Sequence, residues 1–113
     1  MNISNNISSI QAHQTMMNTN ANNIANVNTD GFSPSDTKIS NSGDSIVANN
    51  RKSSNSSFLK NQNEEKTLEN KSSETNLTKE ISDQVIIEKA IAANVTAIKT
   101  QDEMLGSLLD IKI

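Results

Sequence analysis

From Ile3 onwards the apolar residues of this chain fall at Ile3, Ile7, Ile10, Met17, Ala21 and Ile24, with Gln14 filling the one skipped step. Steps of four and three place these side chains on one stripe of a helix, the pattern of a coiled-coil seam. The spacing predicts a helix of about 22 residues, about 33 Å long. Propensity alone barely sustains a helix this rich in Asn, Ser and Thr, so it needs a partner. It ends in a run from Ala21 to Phe32 that reads Ala21, Asn22, Asn23, Ile24, Ala25, Asn26, Val27, Asn28, Thr29, Asp30, Gly31, Phe32. Asn tolerates the left-handed conformation that closes helices and Gly adopts it without steric cost. Asn26, Asn28 and Gly31 therefore predict a helix stop and a tight turn, after which Phe32 folds back on the helix.

The period then stops. From Ser33 to about Lys79 the chain is dominated by Ser, Asn, Lys and Glu, with isolated apolar pairs at Ile46-Val47 and Phe58-Leu59. Low hydrophobicity without a period predicts a flexible or loosely extended connection. Ile39 to Val47 is expected to form at most a weak hairpin or edge strand around Ser42-Gly43-Asp44, and Glu64 to Lys71 a turn or two of helix. A second helix is predicted from about residue 78 to 110, about 50 Å long, opening on polar Asn76 to Thr78 with Glu80 and Asp83 suited to its first turn. Its apolar set starts at Ile81 and Val85 and shifts face to a seam of Ile87, Ile91, Val95, Ile98, Leu105 and Leu108, with Asn94 and Gln101 as polar seam positions that fix register. Glu88, Lys89, Lys99, Glu103 and Asp110 form a solvated outer face on which Lys99 and Glu103 are an i, i+4 pair.

The expected fold class is thus all-α: two long terminal helices packing as a coiled-coil hairpin, joined by a poorly ordered Ser/Asn-rich middle with at most a weak β-hairpin. Residues 1–32 and 78–113 form one helical domain in this reading, and 33–77 a low-complexity linker. Only 33% of the 113 residues are apolar and the aromatics are two Phe, so a self-sufficient core is not expected and the isolated chain should be largely disordered. The net charge of -3 offers no basic footprint for nucleic acid. The absence of cysteine removes disulfides, thiolate nucleophiles and cysteine metal sites. No basic and apolar leader opens the chain and no long apolar run crosses it, so neither a cleavable secretory signal nor direct membrane insertion is expected. Apart from His13, residues 1–29 carry no ionisable side chain, so this helix can be enclosed by neighbouring protein without stranding a charge. His13 has no Cys or other His to join it as a ligand and reads as a polar surface or interface residue. No carboxylate pair, Ser with a base or Gly-rich phosphate loop is present, so no enzyme, catalytic residue, metal or cofactor is expected.

The run from Ala21 to Phe32 resembles the N-terminal signature of bacterial flagellar rod and hook proteins, in which the first helix ends in ANNIANVNT followed usually by Pro-Gly-Phe; every position fits but Asp30, which stands for Pro. Residues 85–111 are similar to the C-terminal helix of the same family at Ala90, Asn94, Ile98, Thr100, Asp102, Met104, Leu105 and Leu109, with departures at Glu88, Lys89 and Ile91. The resemblance implies a structural subunit of the basal-body rod, short and proximal-rod-like, whose terminal helices assemble with copies of itself and other rod or hook subunits into a tubular axial structure. It also implies passage through the flagellar export apparatus and a place in the periplasm-spanning basal body. Two alternatives stay open: an accessory or junction protein that binds the rod or hook without polymerising, and an unrelated cytoplasmic coiled-coil adaptor.

Overall fold

The computed structural model describes residues 2–52 and 72–111. The first helix, α1, runs Ile3–Ala25 and is capped by Asn2, whose Oδ1 accepts the Ser4 N–H at 3.0 Å. This satisfies one of the backbone donors that a helix start leaves unpaired. The strands β1, Ser35–Ser42, and β2, Ser45–Lys52, follow as an antiparallel pair, and the second helix, α2, runs Leu77–Ile111. Asn76 opens α2: its Oδ1 accepts the Lys79 N–H at 3.2 Å and its carbonyl the Glu80 N–H at 3.0 Å.

The all-α expectation is therefore corrected. The segment after Phe32 is a regular hairpin of two eight-residue strands, with Ser35 opposite Lys52 and Ser42 opposite Ser45 around a Gly43-Asp44 loop. Gly43 sits at φ +64°, the positive value that two-residue hairpin loops require. The strands escape a search for apolar alternation because their inward positions are mostly small and polar. Along β1, Ser35 and Ile39 are half-buried and Thr37 is buried, while Asp36, Lys38 and Ser40 are exposed. The hairpin packs on α1 through hydroxyls and amides. The Thr37 hydroxyl donates to Asn50 Oδ1 across the sheet at 2.7 Å and lies 2.9 Å from Thr19 Oγ1 on the helix. Nearer the hairpin tip the Ile46 N–H donates to Ser8 Oγ at 3.1 Å. The helical turn expected at Glu64 to Lys71 and the Phe58-Leu59 pair lie outside the described residues.

The helices run antiparallel: Asn23 meets Glu80 at one end, and Ser9 meets Asn94 farther along. At 1.5 Å per residue α1 is about 35 Å long and α2 about 52 Å, so α2 continues past the start of α1. Among the described residues only Ala12 and Ile87 are buried apolar side chains; Ser9, Asn20, Asn23, Thr37 and Glu80 are buried polar ones.

Candidate assembly interface

The Asn-rich end of α1 closes by side-chain chemistry. Asn26, the C-cap, has φ -105° and ψ 16°, not the left-handed geometry expected of it. Its N–H reaches the Asn22 and Asn23 carbonyls at 3.2 and 3.3 Å, its Nδ2 donates to the Asn22 carbonyl at 2.9 Å, and its Oδ1 accepts the Thr29 hydroxyl at 3.0 Å. An amide that can bond its own backbone removes the need for a positive φ. The left-handed position is Gly31, at φ +74°, in a turn closed by the Phe32 N–H on the Thr29 carbonyl at 3.2 Å. Half-buried Phe32 then offers its carbonyl to the Glu74 N–H at 3.1 Å, which joins the exit of the first helix to the approach of the second.

Asn23 is the knot of the molecule. It is 2% exposed, its Oδ1 accepts the Ser35 N–H at 2.9 Å, and its Nδ2 donates to the Ser35 carbonyl at 2.7 Å and to Glu80 Oε1 at 3.1 Å. One amide thus mimics a neighbouring strand for β1 and holds the buried carboxylate of α2, tying three elements together. Beside it Lys79 Nζ lies 2.8 Å from Asp83 Oδ2 and 3.9 Å from Asp36 Oδ1. The hydrogen bond to Asp83 and the surrounding carboxylates raise the Lys79 pKa above its ordinary 10.5, against a smaller opposing effect of burial. Of the other motif positions, Ala21, Asn22, Ala25, Asn28 and Thr29 are exposed, and Ile24, Asn26 and Val27 are half-buried.

The structure distributes the expected seam unevenly. On α2, Ile87 is buried at 1% exposure and Ile91, Asn94, Ile98 and Gln101 are half-buried on one row, with Asn94 Nδ2 donating to Ser9 Oγ at 3.1 Å. Val95 is exposed, off that row; Leu105 and Leu108 are exposed beyond the start of α1. On α1 the buried Ser9, Ala12 and Asn23 stand two positions after Ile7, Ile10 and Ala21, which at about 100° per residue is nearly the far side of the helix. Ile3, Ile7 and Ala21 are accordingly exposed, while Ile10 and Met17 are half-buried. The physical reason lies in the hairpin and α2, which engage α1 by hydrogen bonds to Ser, Thr and Asn and leave much of the apolar stripe outside. Among the described residues Lys99 and Glu103 form no ion pair. Sequence reasoning missed Asn23, Thr37, Asn50 and Glu80 as a connected set; the only signal was the alternation of small polar residues after Pro34.

His13 donates from Nδ1 to the Ser9 carbonyl at 2.7 Å, a local tie within α1. Among the described residues no group of acids and His could hold a metal, and no helix is long and apolar enough to cross a membrane. Among the described residues the exposed large apolar side chains, Ile7, Ile81, Ile86, Leu105, Leu108 and Leu109 among them, outnumber the two buried apolar ones. The chain is a helical pair with a polar clasp inside and its apolar surface outside, the form of a protein that packs against others.

Residues 70–111, which take in all of α2, match the family model described as flagellar basal body rod FlgEFG protein C-terminal. The match takes in less than half of the chain and supports a likeness to the flagellar rod and hook family in its second helix. That family is structural and not a class of enzymes. No curated protein and no solved structure matches the chain significantly.

Proposed function

We propose that the chain is a structural subunit of the bacterial flagellar basal-body rod, assembling through its terminal helices with copies of itself and with other rod or hook subunits into a tubular axial structure. The observation that carries this reading is the exposed apolar surface of α2, running from Leu77 to Ile111 in the segment the family model matches. Exposed apolar rows on a chain with so small a core call for neighbours. The Asn-rich end of α1 supports the same reading, since its exposed amides can hydrogen-bond to adjacent subunits. The route is the flagellar export apparatus, and the destination the periplasm-spanning basal body.

The test is localisation. A tagged copy should co-purify with isolated basal bodies, and deletion should abolish motility. A small fixed copy number at one level of the rod would replace the polymer with a junction or accessory protein. A soluble cytoplasmic protein whose deletion leaves motility intact would remove the reading altogether.

A further inference from the structure

Among the described residues five buried side-chain atoms lack a hydrogen-bond partner, and four of them belong to the end of the helical pair where α1 starts: Asn5 Oδ1, Asn6 Nδ2 and both amide atoms of Gln101. They form a matched set, with donors at Asn6 Nδ2 and Gln101 Nε2 and acceptors at Asn5 Oδ1 and Gln101 Oε1. Buried amides are nearly always paired, and what separates these is register. With Asn23 at Glu80 and Ser9 at Asn94, Asn5 falls level with Ile98, and Gln101 lies one helical turn beyond it, at the start of α1.

A slide of α2 along α1 by one turn, about 5.4 Å, brings Gln101 level with Asn5 and Asn6. The rest of the inner row follows at steps of three and four, with like replacing like. Half-buried Ile91 takes the place of Ile87, half-buried Gln84 that of Glu80 opposite Asn23, and exposed Leu105 that of Gln101 over the start of α1. Ser9 exchanges Asn94 for Ile98 and keeps His13 Nδ1 at 3.4 Å from its hydroxyl. Glu80 passes to the level of Asn26, at the end of α1. Among the described residues the hairpin packs against α1 and not against α2, so it travels with α1. The slide gives up the Asn23–Glu80 and Asn94–Ser9 bonds and the tie between Phe32 and Glu74. In return it pairs four enclosed amide atoms and covers Leu105. One-turn ratchets of this kind let packed elements hold two discrete arrangements. We infer that α1 and α2 have a second register, one turn from the first, held by Gln101 on Asn5 and Asn6. The change of register sets how much of the apolar end of α2 the pair leaves open, and it does not depend on the rod reading.

The chain has no cysteine, so engineered disulfides within one chain report the register directly. In dilute full-length protein under mild oxidation, Ser9→Cys should close with Asn94→Cys in the first register and with Ile98→Cys in the second. Each should close several-fold faster than Ser9→Cys with Ala90→Cys, which lies one turn in the opposite direction. Adding Gln101→Leu should bring the Ile98→Cys rate down to the Ala90→Cys level and leave the Asn94→Cys rate in place. The inference is overturned if Ile98→Cys closes no faster than Ala90→Cys, as in a pair locked in one register or a chain without order. It is equally overturned if Gln101→Leu slows Ile98→Cys no more than Asn94→Cys, as when water and not a slide satisfies the amides.

Discussion

Asn23 concentrates more of the fold than any other residue. Its replacement by Ala would strip the Ser35 N–H and carbonyl of their partner and leave the buried Glu80 carboxylate without its donor. An unsatisfied buried group costs about 1–3 kcal/mol, so Asn23→Ala should lower stability by at least that much in urea titration, while exposed Asn18→Ala should change little. Glu80→Gln keeps an acceptor for Asn23 and should be tolerated where Glu80→Ala is not. At the turn, Asp30 occupies the second position of a β-turn whose third residue, Gly31, has φ +74°. A type II turn has that geometry and favours Pro at the second position, so Asp30→Pro should stabilise by about 0.4–1 kcal/mol through the unfolded chain, read as a raised thermal midpoint. The helix stop itself was legible in the sequence, because Asn and Gly advertise it. Its mechanism was not: whether Asn26 closes a helix by a left-handed backbone or by its own amide depends on where that amide finds an acceptor.

At the level of elements, α2 announced its inner row through Ile87, Ile91, Asn94 and Ile98, because those residues are both periodic and apolar enough to stand out. The outward placement of Val95 followed from where α1 lies and could not be read locally. The stripe on α1 was read on its apolar side, but Ser9, Ala12, Asn20 and Asn23 are what the structure buries. The hairpin was underestimated for the same reason: Ser35, Thr37 and Asn50 point to hydrogen-bonding partners far away in sequence, and polarity is silent about that. Ile87→Ala should cost about 2–4 kcal/mol as a buried deletion, whereas Val95→Ala should alter the stability of the isolated pair by less than about 0.5 kcal/mol. Lys79 adds a pH response of definite sign. Because folding raises its pKa above 10.5, its contribution is complete below that value and is lost as pH climbs through the raised folded pKa. Stability followed by circular dichroism should therefore show no loss from Lys79 at neutral pH and a small loss on the alkaline side; with Lys79 exposed and Asp83 only half-buried, the size is that of a surface ion pair.

Among the described residues few apolar side chains are buried and many are exposed, so the ordering of the chain should depend on concentration. Truncation after Gln101 removes Leu105, Leu108 and Leu109 but keeps Asn23, Glu80, Ser9 and Asn94, so the truncated chain should retain the contacts within the pair and fail to associate in sedimentation. Ile24→Asp and Ile98→Asp should block assembly by placing charge where helices meet; Ser54→Asp should do little.

The hydrogen bond from the Glu74 N–H to the Phe32 carbonyl gives the molecule an engineering property. The hairpin stays bonded to α1, and its open end, where Ser35 pairs with Lys52, lies three residues past Phe32, so β2 ends beside the approach to α2 and that is the point at which a cassette can be joined. Loop length adds to closure cost only logarithmically, so a foreign domain with adjacent termini, spliced between β2 and Ser72, should ride on the pair without prising the helices apart. A reporter carried there would sit in the assembled structure with both terminal helices in their native connection.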